Sequence, residues 1–274
     1  MGQAAPGRRL EPTGVLNLNR LADKIALITG GGSGIGAATG ALFCSEGAGV
    51  MLVDVNAEGL ARTSLKIREQ SSAGRVATFV ADVADARGAA RAVEGALDAF
   101  GRLDVLVNNA AMRNYSAIAQ AEPAEWQAVV GVNLIGVANY CKAALPALRR
   151  AKGASIVNVS SCYAVAGRKG MGLYDATKAG ILAMTRTLAH ELSADGVRVN
   201  AVCPGPTLTE FHVGRAQAAG KDVETLKTER ASVSLLGRWA SPQEIAWPIL
   251  WLASDEASFI TGSTLMVDGG LSIM

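Results

Sequence analysis

Side chains that bind metals or form disulfides are scarce in this sequence. It holds two histidines and four cysteines, and Cys44, Cys141, Cys162 and Cys203 are scattered without a ligand-like pair. That argues against a structural zinc site and a secreted disulfide framework, and fits reduced, buried thiols in a cytoplasmic protein. No uninterrupted run of about 18 apolar residues occurs, so no transmembrane helix is expected. The formal charge is only +2, with no basic block that would suggest nucleic acid as a partner. The polar lead-in over residues 1–20, with Pro6, Arg8, Arg9 and Pro12, lacks the apolar core of a secretory signal. Pro6 also stands where a myristoylation motif requires Ser or Thr. The lead-in is read as a flexible arm, able to lie on a neighbouring subunit.

What the sequence does have is apolar material in a regular arrangement. Half of the 274 residues are hydrophobic and 18% are charged, enough to bury a large core in one α/β unit. From Lys24 onward, strand-like and helix-like stretches alternate. Continuous apolar runs, as expected of parallel strands buried on both faces, lie over 25–29, 49–53, 76–81, 103–107, 155–159, 197–202 and 263–267. Helical patterns separate them, over about 30–46, 57–72, 87–100, 124–150 and 174–192. A last helix over 242–253 follows the capping box Ser241-Pro242-Gln243-Glu244, and Pro248 is expected to bend it. Residues 207–240 are more charged and broken by glycines, and read as a helical, mobile insertion over the sheet. With no internal repeat and no linker, the pattern predicts a single-domain doubly wound parallel sheet of about seven strands with helices on both faces. The expected organisation is an arm at 1–20 and one catalytic unit at 21–274, with 207–240 as a substrate lid.

The chemistry is concentrated in three places. Tyr174 and Lys178 lie one helical turn apart on one face. A free phenol has a pKa near 10, too high for a general base, and a neighbouring ammonium would favour the phenolate. Ser160-Ser161 closes the strand at 155–159, where a hydroxyl could hold a substrate oxygen. Upstream, Gly30-Gly31-Gly32-Ser33-Gly34-Ile35-Gly36 follows a strand and opens a helix, the context of a pyrophosphate-binding turn. Asp54 ends the second strand, where a carboxylate accepts hydrogen bonds from a ribose diol and repels a 2′-phosphate. Ser33 and Val55, where a basic residue could pair with that phosphate, are neutral. The sequence therefore favours NAD over NADP.

Taken together, Thr29-Gly30-x-x-x-Gly34-x-Gly36, Asn108-Asn109-Ala110, Asn133, Ser161, Tyr174-x-x-x-Lys178 and Pro204-Gly205 resemble the short-chain dehydrogenase/reductase family in order and spacing. The resemblance covers nearly the whole chain. Ala111 departs from the family's usual Gly and Thr177 from its usual Ser, both small changes.

The resemblance implies that Tyr174 is the catalytic acid/base and that Lys178 lowers its pKa and bonds the nicotinamide ribose. Ser161 would orient the substrate oxygen, and Asn133 would help hold a water beside Lys178. Read without the family, Asn133 is a helix-interior amide bonded to nearby backbone. Gly30, Ser33, Gly34, Ile35 and Gly36 would cradle the pyrophosphate, and Asp82 and Val83 would contact adenine. Asn109, Ala110 and Ala111 would wall the adenosine ribose. Pro204, Gly205, Thr207 and Thr209 would flank the nicotinamide.

The implied reaction is hydride transfer between NAD(H) and a secondary alcohol or ketone, without a metal, in a homotetramer whose apolar C-terminal strands pair. Met112, Tyr115, Tyr163, Val165, Phe211 and Trp239, with polar Arg113, Asn114 and His212, would line the substrate pocket. That mix suits a small or medium polyol, cyclic diol or alicyclic ketone. Three alternatives are weighed: an NADP-dependent ketoacyl-type reductase, a non-catalytic nucleotide-binding homologue, and a methyltransferase on the same sheet. The last would have no use for Tyr174 and Lys178.

Overall fold

Strand β1 (Ile25–Thr29) is buried along its whole length, and its four apolar residues divide between two cores. Successive side chains of a strand point to opposite faces. Ala26 and Ile28 therefore join one apolar layer, and Ile25 and Leu27 join the other. That division explains the unbroken apolar run, since a parallel strand covered on both sides has no wet face to mark with polar residues. The computed structural model describes residues 18–70, 75–229 and 234–274. The arm expected over 1–20 falls almost wholly outside the described residues. At its inner end, Arg20 pairs with Glu256 at 2.8 Å.

Six further strands complete the sheet: β2 (Gly49–Asp54), β3 (Val76–Val80), β4 (Val105–Asn108), β5 (Ser155–Val159), β6 (Arg198–Pro204) and β7 (Thr264–Val267). Their order is β3-β2-β1-β4-β5-β6-β7, and every pairing is parallel. Leu27 lies opposite Met51 on one side and Leu106 on the other. The chain winds outward from β1 to β3, then returns to place β4 on the far side of β1. Ligands bind at such a reversal, outside the carboxyl ends of the strands. The fold is the doubly wound parallel sheet expected from the alternation.

Helices α1 (Gly34–Ser45) and α2 (Ala57–Gln70) share one layer with the later α9 (Pro242–Ala253). The other layer holds α3 (Ala86–Phe100), α4 (Pro123–Val130), α5 (Gly136–Leu148) and α6 (Gly172–Glu191). Helix α9 begins as anticipated: the Ser241 hydroxyl accepts from the Glu244 N–H, the Glu244 carboxylate accepts from the Ser241 N–H, and Pro242 follows the cap.

The single long helix expected at 124–150 is one helical run with a π turn, Gly131–Ile135, between α4 and α5. By length and composition this run would suffice to cross a membrane. One face of it, however, carries Val129, Val137, Tyr140, Cys141 and Ala144 into the protein interior. Residues 207–240 include α7 (Glu210–Ala218) and α8 (Val223–Glu229), as expected of a helical insertion. Its two ends are pinned by a parallel bridge between Thr207 and Ala240, with Leu208 N–H bonded to the Ala240 carbonyl at 2.9 Å.

Candidate active site

The turn after β1 is held by a small polar network. Thr29 Oγ1 accepts from the backbone N–H groups of Asn109 and Ala110 at 3.0 and 3.1 Å. Asn109 Nδ2 donates back to the carbonyls of Thr29 and Gly30 at 3.0 and 3.2 Å. The fit leaves no room for side chains. Gly30 has φ +67°, and a Cβ there would lie 2.7 Å from Asn109 Nδ2. At Gly36 a Cβ would lie 2.0 Å from the Gly30 carbonyl oxygen. The N-terminus of α1 therefore opens directly onto the cavity, with N–H groups and the positive end of the helix dipole toward it.

One of those groups, the Gly34 N–H, donates to the carboxylate of Glu210 at 2.9 Å. Asp54 ends β2 beside this turn; its Oδ2 accepts from Gly32 N–H and its Oδ1 from Asn56 N–H, both at 3.0 Å. Each oxygen keeps a lone pair for a further donor. A small-residue cradle at a helix N-terminus with a carboxylate at the next strand end fits a dinucleotide.

A cavity of about 570 Å³ runs from this cradle across the carboxyl ends of the sheet. It collects Gly30, Ser33, Gly34, Ile35, Asp54, Asp82, Val83, Asn109, Ala110, Ala111, Ser161, Tyr174, Lys178, Pro204, Gly205, Thr207 and Thr209. Of the residues singled out from the sequence for cofactor or catalysis, Gly36 and Asn133 alone stand behind its wall. Asn133 is fully buried in the π turn; its Oδ1 accepts from Met112 N–H at 2.8 Å, and its Nδ2 donates to the Met112 carbonyl and to Thr177 Oγ1, both at 3.0 Å. It thus ties the segment after β4 to α6, as its family-independent reading would have it.

Tyr174 sits in the first turn of α6, and Lys178 lies one turn later with its Nζ 5.6 Å from the phenol ring centre. Both are buried, as is Ser161 at the end of β5. Burial pushes the Tyr174 phenol above its ordinary value, opposed by the guanidinium charges of Arg113 and Arg168 and by a hydrogen bond with Ser161. Burial also pulls Lys178 down to about 7, helped by the charge of Arg113, while its Nζ bonds the Val159 carbonyl at 2.8 Å. Tyr174 and Lys178 thus lie together and buried, one turn apart on one helix face as the sequence placed them.

The cavity also takes in Met112, Arg113, Tyr163, Phe211, His212 and Trp239, residues expected from the sequence at a substrate pocket. Three other candidates point elsewhere. Asn114 bonds Glu125 at 2.6 Å, Tyr115 lies under Arg215 at 3.9 Å, and Val165 is exposed. Two polar side chains at the site were not anticipated. Arg168 pairs with Asp175 through both carboxylate oxygens and lies 3.7 Å above the Tyr163 ring. Glu210 reaches the Gly-rich turn from α7. Asp175, next to Tyr174 in sequence and in the first turn of α6, was the available signal for Arg168. Nothing local marked Glu210, which meets Gly34 across 176 residues.

Comparison with known proteins places this geometry. A family model described as enoyl-(acyl carrier protein) reductase matches residues 30–272. The chain is 40% identical over 254 residues to 3-oxoacyl-[acyl-carrier-protein] reductase FabG of Thermotoga maritima, covering 93% of this chain and all of that one. It is 38% identical over 256 residues to 2-(S)-hydroxypropyl-CoM dehydrogenase 3 of Xanthobacter autotrophicus, covering 93% and 98%. Among solved structures, levodione reductase superposes with a TM-score of 0.86 at 32% identity, covering 92% of this chain and 98% of the other. With a nicotinamide-type cradle, a buried Ser/Tyr/Lys group and these relatives, the chain belongs to the short-chain dehydrogenase/reductase family of oxidoreductases.

Proposed function

We propose that this enzyme interconverts a secondary alcohol and its ketone with NAD(H), using Tyr174 as the general acid/base. The observation that carries the reading is that Ser161, Tyr174 and Lys178 share one cavity with the Gly-rich cradle and Asp54. Gly30, Ser33, Gly34, Ile35 and Gly36 would hold the pyrophosphate, Asp54 the adenosine ribose, and Asp82, Val83 and Asn109 to Ala111 the adenosine end. Pro204, Gly205, Thr207 and Thr209 would flank the nicotinamide, with Tyr174 and Lys178 near its ribose. The nicotinamide, when bound, supplies the hydride acceptor or donor.

The chain's own part is proton transfer and orientation. In oxidation, the Tyr174 phenolate takes the hydroxyl proton of the alcohol; in reduction, the phenol returns a proton to the developing alkoxide. Ser161, bonded to the phenol, holds the same substrate oxygen and stabilises its charge. Lys178 is buried beside them, with its Nζ held by the Val159 carbonyl.

NAD is favoured over NADP by where the cations lie. Among the described residues, those lining the cavity are Arg113, Arg168 and Lys178, all grouped around Tyr174 or Tyr163. Arg62 and Lys66, which could have reached the ribose from α2, are exposed, and Arg62 turns toward Glu58 at 3.8 Å. The relatives' names, an oxoacyl reductase, a hydroxypropyl dehydrogenase and a levodione reductase, all describe an alcohol or a ketone.

A second reading, NADP-dependent reduction of a 3-oxoacyl thioester, has the name of the Thermotoga relative in its favour. We further read 21–274 as one catalytic unit with 207–240 as its lid, acting as a homotetramer in the cytoplasm; four free, buried cysteines support that compartment. A panel of secondary alcohols and ketones, followed by nicotinamide absorbance with NAD and NADP, tests the reaction. Turnover of some member with NAD is expected. No turnover with either cofactor would remove the reading, and turnover with NADPH alone would favour the second.

A further inference from the structure

The substrate end of the cavity holds more positive charge than proton and hydride transfer require. Lys178 is accounted for beside Tyr174. Arg168 is neutralised by Asp175, with N–O distances of 2.9 and 3.2 Å. Arg113 has no such partner: among the described residues no carboxylate lies within ion-pair distance of it. Its one polar contact is from Nη1 to Nε2 of His212 at 3.2 Å. Because a guanidinium can only donate, that imidazole nitrogen is the acceptor. The imidazole's other nitrogen meets Thr209 Oγ1 at 3.0 Å.

Among the described residues, three carboxylates of this region already hold donors. Glu125 accepts from Asn114 and Ser116, Glu210 from Gly34, and Asp175 from Arg168. Arg113 is only partly exposed, and its guanidinium carbon lies 5.6 Å from the Tyr174 ring centre and 5.5 Å from that of Phe211. The Arg113 charge is felt by Asp175, but that carboxylate is already bonded to Arg168. A partly buried guanidinium with no ion-pair partner of its own favours a ligand that supplies one.

We infer that the substrate itself supplies it. On the reading of the site as an alcohol or ketone oxidoreductase, the molecule turned over at Tyr174 carries a singly charged oxyanion, a carboxylate or sulfonate, on a small apolar body. Arg113 receives the anion through its planar fork, and Phe211, Tyr163 and Trp239 pack against the body. The reacting carbon and the anion then lie at opposite ends of one small ring or chain, between the phenol and the guanidinium. Arg113 is thereby a specificity determinant that touches substrate, and its link through His212 to Thr209 couples anion binding to the start of α7.

The test measures binding apart from turnover. The full-length enzyme, saturated with NAD, is titrated calorimetrically with cyclohexanecarboxylate, cyclohexanesulfonate and uncharged cyclohexanecarboxamide, none of which carries a hydroxyl to oxidise. At least one anion should bind about tenfold or more tightly than the carboxamide, a gap of about 1.4 kcal/mol. Arg113→Gln should abolish that preference, and Arg113→Lys should keep part of it. Which anion binds better separates carboxylate from sulfonate substrates. Equal affinity for all three probes, no binding of any, or a preference that survives in Arg113→Gln overturns the inference. If Arg113 served only to adjust Tyr174, Arg113→Gln would shift the pH profile while wild type showed no anion preference. Anion preference without turnover of any alcohol would sink the hydride-transfer reading and leave the anion site standing; turnover of neutral alcohols without anion preference would do the reverse.

Discussion

The Glu210 carboxylate, at the start of α7, accepts a hydrogen bond from the Gly34 N–H at the start of α1, 2.9 Å away. The segment proposed as a substrate lid is thus bonded to the turn proposed to hold the pyrophosphate, with its own negative charge in the anion's place. A charge at a helix N-terminus is worth roughly 0.3–1 kcal/mol at an exposed site. Glu210→Gln keeps the shape and removes the charge, so NAD should bind about two- to fivefold more tightly, since 1.4 kcal/mol is tenfold. Titration of intrinsic fluorescence with NAD reads this directly, and weaker binding by the variant would show that Glu210 does not compete.

Tyr174→Phe removes one hydroxyl from a buried side chain and leaves its packing intact. Turnover should fall by several orders of magnitude, while melting temperature and NAD affinity stay close to wild type. The wild-type pH profile follows from a phenol held above its ordinary value by burial. Oxidation needs the phenolate, so kcat/KM for an alcohol should keep climbing through the alkaline range. Reduction needs the phenol and should stay level until pH passes that raised pKa. An oxidation rate that is flat from neutral to alkaline pH would contradict the assignment.

Lys178 is buried at a cost to the fold. Its pKa falls to about 7 in the folded protein, against about 10.4 when exposed in the unfolded chain. Below pH 7 both states hold the proton and the full burial penalty applies; between those two values the folded state alone releases it, so stability rises with pH. Lys178→Met never carries the charge. The variant should melt several degrees above wild type near pH 6, by an excess that shrinks as pH rises, while losing activity. Calorimetric scans at three pH values measure it, and an excess independent of pH would mean that the charge is not what destabilises.

Cofactor choice should turn on Asp54. Losing the ribose bonds and adding a like charge should each cost on the order of 1–3 kcal/mol, giving NAD at least about a hundredfold advantage in kcat/KM. Asp54→Ser should narrow the gap mainly by relieving repulsion, and Val55→Arg should narrow it further. Equal wild-type efficiencies with the two cofactors would show that Asp54 does not decide.

Assembly has a surface to use. Strand β7 closes the sheet at one edge, and Phe259, Ile273 and Met274 beside the C-terminus are 103%, 79% and 70% exposed. We propose that these exposed apolar side chains belong to an interface between copies of the chain. Light scattering at micromolar concentration should report a tetramer, and Phe259→Asp should shift the population to smaller species. A monomeric wild type would remove the proposal.

How far the sequence reached depends on the range of the interactions involved. Strand–helix alternation, the capping box at Ser241 and the α1 turn were legible because each is set by neighbours along the chain: apolar spacing, a cap, a glycine demanded by a close approach. The Tyr174 and Lys178 pairing was legible for the same reason, one helical turn being local geometry. What only the tertiary structure decided is electrostatic and long-range. Arg113, Arg168 and Glu210 come from three separate loops or helix starts, and their charges meet at Tyr174 and Gly34 only after the sheet has folded. Likewise, the direction in which Tyr174 and Lys178 titrate is set by burial, a property of the packed core that spacing along a helix does not encode.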